Sequence, residues 1–254
     1  MRTALIFARK EALEILRTWR VFVLPSIVLL FAISGPLIAR YTPELLTAVA
    51  GNQFAGLKLP APTPLDAYAQ WIKNLSQIVL FAIIIIYGGI VSGERRSGTA
   101  VLVLTKPVSR ATFVIVKAIT HSLFLTLLVV GGTLITWGLT AILFGSAPGA
   151  ALWSSSLTWL ALGIVYVCLM TLFSVLVPSA AGAAGIGLGA FMVFSIGSLW
   201  RPVADYSPAG LSGRATTLAA GTETHSVLWP VAVSLLVCVA AVGLAAAVFR
   251  RQEV

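Results

Sequence analysis

AITHSLFLTLLVVGGTLITWGLTAILFGSAPGAALWSSSLTWLALGIVYVCLMTLFSVLVPSAAGAAGIGLGAFMVFSIGSLW, residues 118–200, contains no Asp, Glu, Lys or Arg. A water-facing surface cannot be built from such a stretch, whereas hydrocarbon accepts it readily. One helical crossing needs about 20 residues, so the interval fits three spans with short turns. The turns stand at Gly145-Ser146-Ala147-Pro148-Gly149 and at Pro178-Ser179. They predict spans near 114–144, 157–177 and 183–200, the first over-long and therefore a span with a cytoplasmic extension.

The rest of the chain follows the same logic. Of its 254 residues, 59% are hydrophobic and only 10% charged; a soluble domain usually carries about 25% charged residues. Further apolar runs predict spans near 21–40, 77–92 and 228–249. The sequence is therefore read as a single all-α, polytopic membrane domain of six spans. Residues 3–19 place one apolar stripe beside a mixed-charge face, as in a helix lying in the headgroup layer. The first run is too long for a signal peptide, and Glu11 and Glu14 precede it. Pro43, Pro60, Pro62 and Pro64 predict irregular chain up to about Asp66, and 201–227 reads as a polar loop.

The formal charge of +9 does not point to nucleic acid, because Lys and Arg sit at the ends of apolar runs. With the N-terminus inside, twelve of the 17 fall on the cytoplasmic side, so both termini are expected in the cytoplasm. Trp71, Trp153, Trp159, Trp200 and Trp229 fall at the expected outer ends and Trp19 at the inner one, the places of aromatic belts.

Catalytic chemistry is sparse. His121 and His225 have no acidic or thiol partner at ligand spacing and read as hydrogen-bonded or interfacial histidines. Cys168 and Cys238 lie in apolar runs and read as core residues. No phosphate-binding G-x-x-x-x-G-K-[ST] loop occurs, so no cofactor or metal site is expected in this chain. No acidic residue falls in an expected membrane interior, which speaks against an ion-coupled carrier. Small-residue pairs, Gly89-x-x-x-Gly93 and Gly185-x-x-x-Gly189, mark candidate helix-packing faces, within one subunit or between two.

The charged stretch between spans two and three, about 93–112, is longer than a turn requires. Arg95 and Arg96 sit at the membrane surface, Val101 to Leu104 form a short apolar run, Lys106-Pro107 stops it, and Ser109 is a plausible cap for the next helix. Such an element has the shape of a docking peg for a soluble partner, or of an ordinary amphipathic surface helix. The run Gly93-Glu94-Arg95-Arg96-Ser97-Gly98-Thr99, then Leu102, Leu104 and Lys106-Pro107-Val108-Ser109-Arg110, resembles the membrane subunits of type-2 ATP-binding-cassette exporters. The basic N-terminal helix, the ending Val248-Phe249-Arg250-Arg251 and the six-span layout resemble them as well.

That resemblance implies a permease that pairs with a second permease subunit, identical or related, and engages separate ATPase subunits that hold ATP and Mg. It implies a coupling role for Glu94, Arg95, Gly98, Thr99, Leu102, Leu104, Pro107 and Arg110, a connecting helix at 3–19, and a cargo path between the two permease subunits. A path without fixed charge suits hydrophobic or amphipathic cargo. A secondary carrier, and a membrane scaffold or immunity protein that transports nothing, are the alternatives.

Overall fold

The computed structural model describes residues 2–17, 20–50, 61–99, 103, 105, 108–222 and 226–252. The described residues form helices and no strands, and six helical segments are long and apolar enough to cross a bilayer. In chain order these are α1 (Arg2–Arg17), α2 (Arg20–Ala50), α3 (Pro64–Asn74), a π-turn (Leu75–Val79), α4 (Leu80–Tyr87), α5 (Ser92–Arg96) and α6 (Arg110–Phe144). Then come α7 (Gly149–Leu176), α8 (Ala180–Gly197), α9 (Arg201–Tyr206), a 3-10 turn (Pro208–Gly210), α10 (Leu211–Ala219) and α11 (Leu228–Arg251). The spans are α2, the broken run α3–α5, α6, α7, α8 and α11.

Local chemistry sets the ends. Asp66 Oδ2 accepts from the Thr63 backbone N–H at 2.7 Å and from Thr63 Oγ1 at 2.8 Å, and Pro64 supplies a preset φ at the first helical position. The second span's helix therefore starts at Pro64, a full three turns before residue 77. Ser109 and Ser179 cap α6 and α8 by accepting from the Thr112 and Gly182 N–H groups, both at 3.0 Å. Gly145 closes α6 in the left-handed region, at φ 72°. With 35 residues, α6 is about 52 Å long and overreaches a hydrocarbon core of about 30 Å.

Pro43 does not end α2, which carries Pro25, Pro36 and Pro43 inside one helix. Pro36 has no N–H for the carbonyl of Ala32 four residues earlier. Thr136 of α6 donates its hydroxyl to that carbonyl at 3.3 Å, so a neighbouring span satisfies the orphaned group, as hydrocarbon requires.

α7 is the most buried span and the hub. Against it pack α11, α10, α6, α4 and α8, while α2 lies on α6 and α3. Trp71 and Trp159 are fully buried in this core, which corrects their expected place in an outer aromatic belt. The Trp71 ring lies against Gly132, where a Cβ would come within 2.5 Å of it, and its indole N–H donates to Ser156 Oγ at 3.2 Å. Trp200 and Trp229 are exposed as expected. The segment 201–227 is likewise not a simple loop. α10 buries Leu211, Ala215 and Ala219, one residue per turn, against α7 and α3, and the Asp205 carboxylate pairs with Arg214 at 3.0 Å.

Candidate functional site

The second span breaks where α4 gives way to α5. Residues 88–91 leave the helical ladder, and Ser174 of α7 receives the freed donors: its Oγ accepts from the N–H groups of Val91 and Ser92, both at 3.0 Å. Ser92 Oγ donates to the Gly88 carbonyl at 3.2 Å. Gly88 permits the break to sit against α8, since a Cβ there would lie 2.5 Å from the Ala180 carbonyl oxygen. α5 then turns Glu94 inward, and Gly98, at φ 73°, ends the element in a conformation that favours glycine.

Glu94 meets a lysine from another helix. Lys117 Nζ of α6 is fully buried and lies 2.5 Å from Glu94 Oε1 and 2.8 Å from Glu11 Oε2 of α1. Lys10 of α1 adds a half-buried ammonium, 2.9 Å from Glu11 Oε1, 2.5 Å from Glu14 Oε2 and 3.6 Å from Glu94 Oε1. The carboxylate oxygens of Glu11, Glu14 and Glu94 lie within 4.8 Å of one another. That spacing would repel strongly in low dielectric without cations between them; Lys10 and Lys117 are those cations. Burial works against the charge on Lys10, but its hydrogen bond to Glu14 and the charges of Glu11 and Glu94 outweigh it and raise its pKa. Burial likewise opposes ionisation of Glu14, yet Lys10 and Lys117 hold its pKa below the ordinary 4.5.

Beside the charges runs a buried aromatic stack. Phe7 of α1, Phe113 of α6 and Phe249 of α11 follow one another at ring separations of 5.4 Å. One face of α1 therefore carries Phe7, Glu11 and Ile15 inward, while Ile6, Leu13 and Leu16 stay exposed on the other side. The apolar stripe expected in 3–19 is two faces: one docks on the bundle, the other is free for the headgroup layer.

Other expected residues fall around this cluster. Arg95 Nη1 donates to the Val175 carbonyl at 3.3 Å, and Gln252 Nε2 donates to the same carbonyl at 3.1 Å. Arg110 donates to the Gln252 carbonyl, so the ends of α5, α6, α7 and α11 are tied together. Thr99 is exchanged into a hydroxyl pair with Ser97 at 2.8 Å. Leu102, Leu104 and Pro107 lie outside the described residues, as do Trp19 and His225. Val103 and Val108 pack against the core. His121, one turn further along α6 from Lys117, is buried edge-on to the Tyr87 ring at 4.9 Å.

The glycine pairs divide. Gly89 would bring a Cβ within 3.3 Å of Ala180, but Gly93, Gly185 and Gly189 face open space within this chain. The close contact of α8 is made instead by Gly187, whose Cβ would meet Met170 Sδ at 2.5 Å, and by the buried Ala183.

Sequence reasoning missed Glu11 and Lys117 as site residues, because 106 positions separate them. A signal existed. Lys117 stands alone among Val114, Ile115, Val116, Ala118 and Ile119, and a cation in an apolar run needs a carboxylate from elsewhere.

Residues 5–219 match the model of the ABC-2 family of transporter proteins. The chain is also 25% identical over 264 residues to the uncharacterised transmembrane protein YxlG of Bacillus subtilis, an alignment covering 100% of this chain and 99% of that one.

Proposed function

The chain belongs to the ABC-2 family of transporter proteins, and on that premise we propose that it is the permease subunit of an ATP-driven exporter in a bacterial plasma membrane. Both termini and the 93–112 segment face the cytoplasm, where a separate ATPase binds ATP and Mg and supplies the work. This chain holds no ATP site of its own. A second permease subunit completes the cargo path, and the outward face of α8, with Gly185 and Gly189, is the surface that supports such pairing. The cargo is hydrophobic or amphipathic.

One observation carries the reading. Lys117 joins the membrane-surface helix, the 92–96 turn and the foot of α6 at a single buried point. A push on the segment around Glu94 cannot be absorbed locally, because moving its carboxylate strips Lys117 of a partner in a dry site. The push is therefore passed to α6 and α1 together. Glu94 on α5 and Ser174 on α7 extend that linkage to the hub helix through the Val91 and Ser92 amides.

The test has two parts. The tagged full chain, purified from native membranes, should bring down an ATPase subunit, and Glu94→Gln should leave that association while loosening the dependence of transport on hydrolysis. Undiminished transport after deletion of residues 94–107, or labelling of 94–110 from the cell exterior, would defeat the proposal.

A further inference from the structure

At the end of the bundle opposite the charge cluster, α2, α3 with its π-turn, α7, α8 and α10 enclose a cavity of about 830 Å³. This is the size of a small-molecule site, for which roughly 300–1,000 Å³ is usual. Three features of the lining are unlike a packing defect. First, the π-turn carries Ser76 and Gln77 into it; π-bulges inside helices recur at functional sites. Second, Tyr166 of α7 lines the cavity and is 1% exposed, yet its hydroxyl has no hydrogen-bond partner among the described residues. Its ring stands edge-on to Phe194 at 5.7 Å. A buried hydroxyl left unpaired costs about 1–3 kcal/mol, a cost that a bound acceptor would remove. Third, the charges are unequal. Asp66, at the rim, is engaged in capping Thr63. Lys73, on the same lining, makes no salt bridge among the described residues.

The remaining lining separates by chemistry. Leu162, Phe191 and Phe194 give an apolar wall, and Lys73, Gln77 and Tyr166 offer hydrogen-bond donors. The side walls are α2 and α8, which pack on α6 and α3 and on α7 and α4 rather than extensively on each other. Both spans carry mostly exposed apolar residues, so an amphipath partitioned into the bilayer has a sideways approach.

We propose that this cavity binds a single-chain amphipathic anion, one per subunit, with the apolar body against Phe191 and Phe194 and the anionic head held by Lys73 and the Tyr166 hydroxyl. Its role as a cargo site rests on the permease reading given above; the binding itself does not. A free amphipath and a resident phospholipid could both bring this headgroup chemistry, and the proposal assigns the site to the free amphipath.

The experiment uses the full chain in phosphatidylcholine nanodiscs, with 9,10-dibromostearate as the ligand and quenching of the native tryptophans as the signal. Saturable quenching should favour the carboxylate over dibromostearyl alcohol by roughly tenfold or more, the worth of a charge-assisted hydrogen bond. Lys73→Gln should bring that ratio close to one, and Tyr166→Phe should weaken the carboxylate severalfold. Lys73→Gln should leave the melting temperature unchanged, since Lys73 is exposed, and Tyr166→Phe should not lower it, since phenylalanine keeps the ring and discards the unpaired hydroxyl. Equal binding of carboxylate and alcohol, or an unchanged ratio in Lys73→Gln, would overturn the proposal. Displacement of the ligand by added phosphatidylglycerol would overturn its assignment to free amphipaths. No ATPase takes part, so failure here leaves the permease reading standing, and failure to find an ATPase leaves the binding result standing.

Discussion

Replacing Lys117 by Met removes an ammonium and keeps most of the side chain's volume. The structure then leaves Glu11 and Glu94 without the partner that lies 2.8 and 2.5 Å away. Lys10 remains, but it is already divided between Glu11 and Glu14 and stands 3.6 Å from Glu94. Breaking a buried pair by removing one member typically costs about 3–5 kcal/mol, because the other member stays buried and charged. For a chain of this size 1 kcal/mol corresponds to roughly 2–4 °C, so the melting temperature should fall by roughly 6–20 °C. The assay is thermal unfolding of the full chain in nanodiscs, followed by intrinsic fluorescence. A second variant separates charge from packing. Adding Glu11→Gln to Lys117→Met removes one of the abandoned carboxylates, so the double variant should recover part of the loss. If Lys117→Met costs less than about 1 kcal/mol, or if the two losses simply add, the cluster does not bind α1 and α5 to α6.

Gly88→Ala places a methyl group 2.5 Å from the Ala180 carbonyl and should destabilise by about 1–3 kcal/mol, the usual cost of overpacking; Gly185→Ala, facing open space, should leave the melting temperature of the isolated chain unchanged. Thr136→Val removes the hydroxyl that donates to the Ala32 carbonyl and should cost about 1–3 kcal/mol, read in the same melting experiment. Glu14, whose pKa is held down in the folded chain, adds stability that is present above its ordinary 4.5 and is lost as pH falls through the lower folded value. Lys10, raised, adds stability that is full below its ordinary 10.5 and is lost only as pH climbs past it. A melting profile against pH should therefore drop on the acid side below about 4.5, and Glu14→Gln should reduce that slope.

The spans were legible because hydrophobicity sums along the chain: eighty uninterrupted positions without a formal charge admit few other readings. Glu94 was legible through the run it belongs to. What stayed hidden depended on which side of a helix meets what. Trp71 and Trp159 stand near span ends in sequence, yet the core takes them: Gly132 makes room for Trp71, whose indole N–H Ser156 receives, and Gly163 lies against the Trp159 ring. α10 hides its helical spacing behind small residues: Leu211, Ala215 and Ala219 carry too little apolar surface to mark a helix by pattern. Pro43 misled because proline is tolerated inside a membrane-spanning helix where neighbouring groups take up the freed backbone, as Thr136 does for the Ala32 carbonyl that Pro36 leaves open. The cavity depends on a π-turn and on gaps between spans, neither of which composition records.

The stack of Phe7, Phe113 and Phe249 bears on how the chain matures. A ribosome delivers Phe7 ahead of the six spans and Phe249 only after all five earlier spans have been made. The docking seat for α1 therefore forms in two stages: Phe113 and Lys117 of α6 meet it first, and Phe249 completes the stack behind Phe113 only when the last span is inserted. A chain shortened before Phe249 would keep the Glu11–Lys117 pair that fastens α1 to α6 but would leave the Phe113 ring without its second stacking partner.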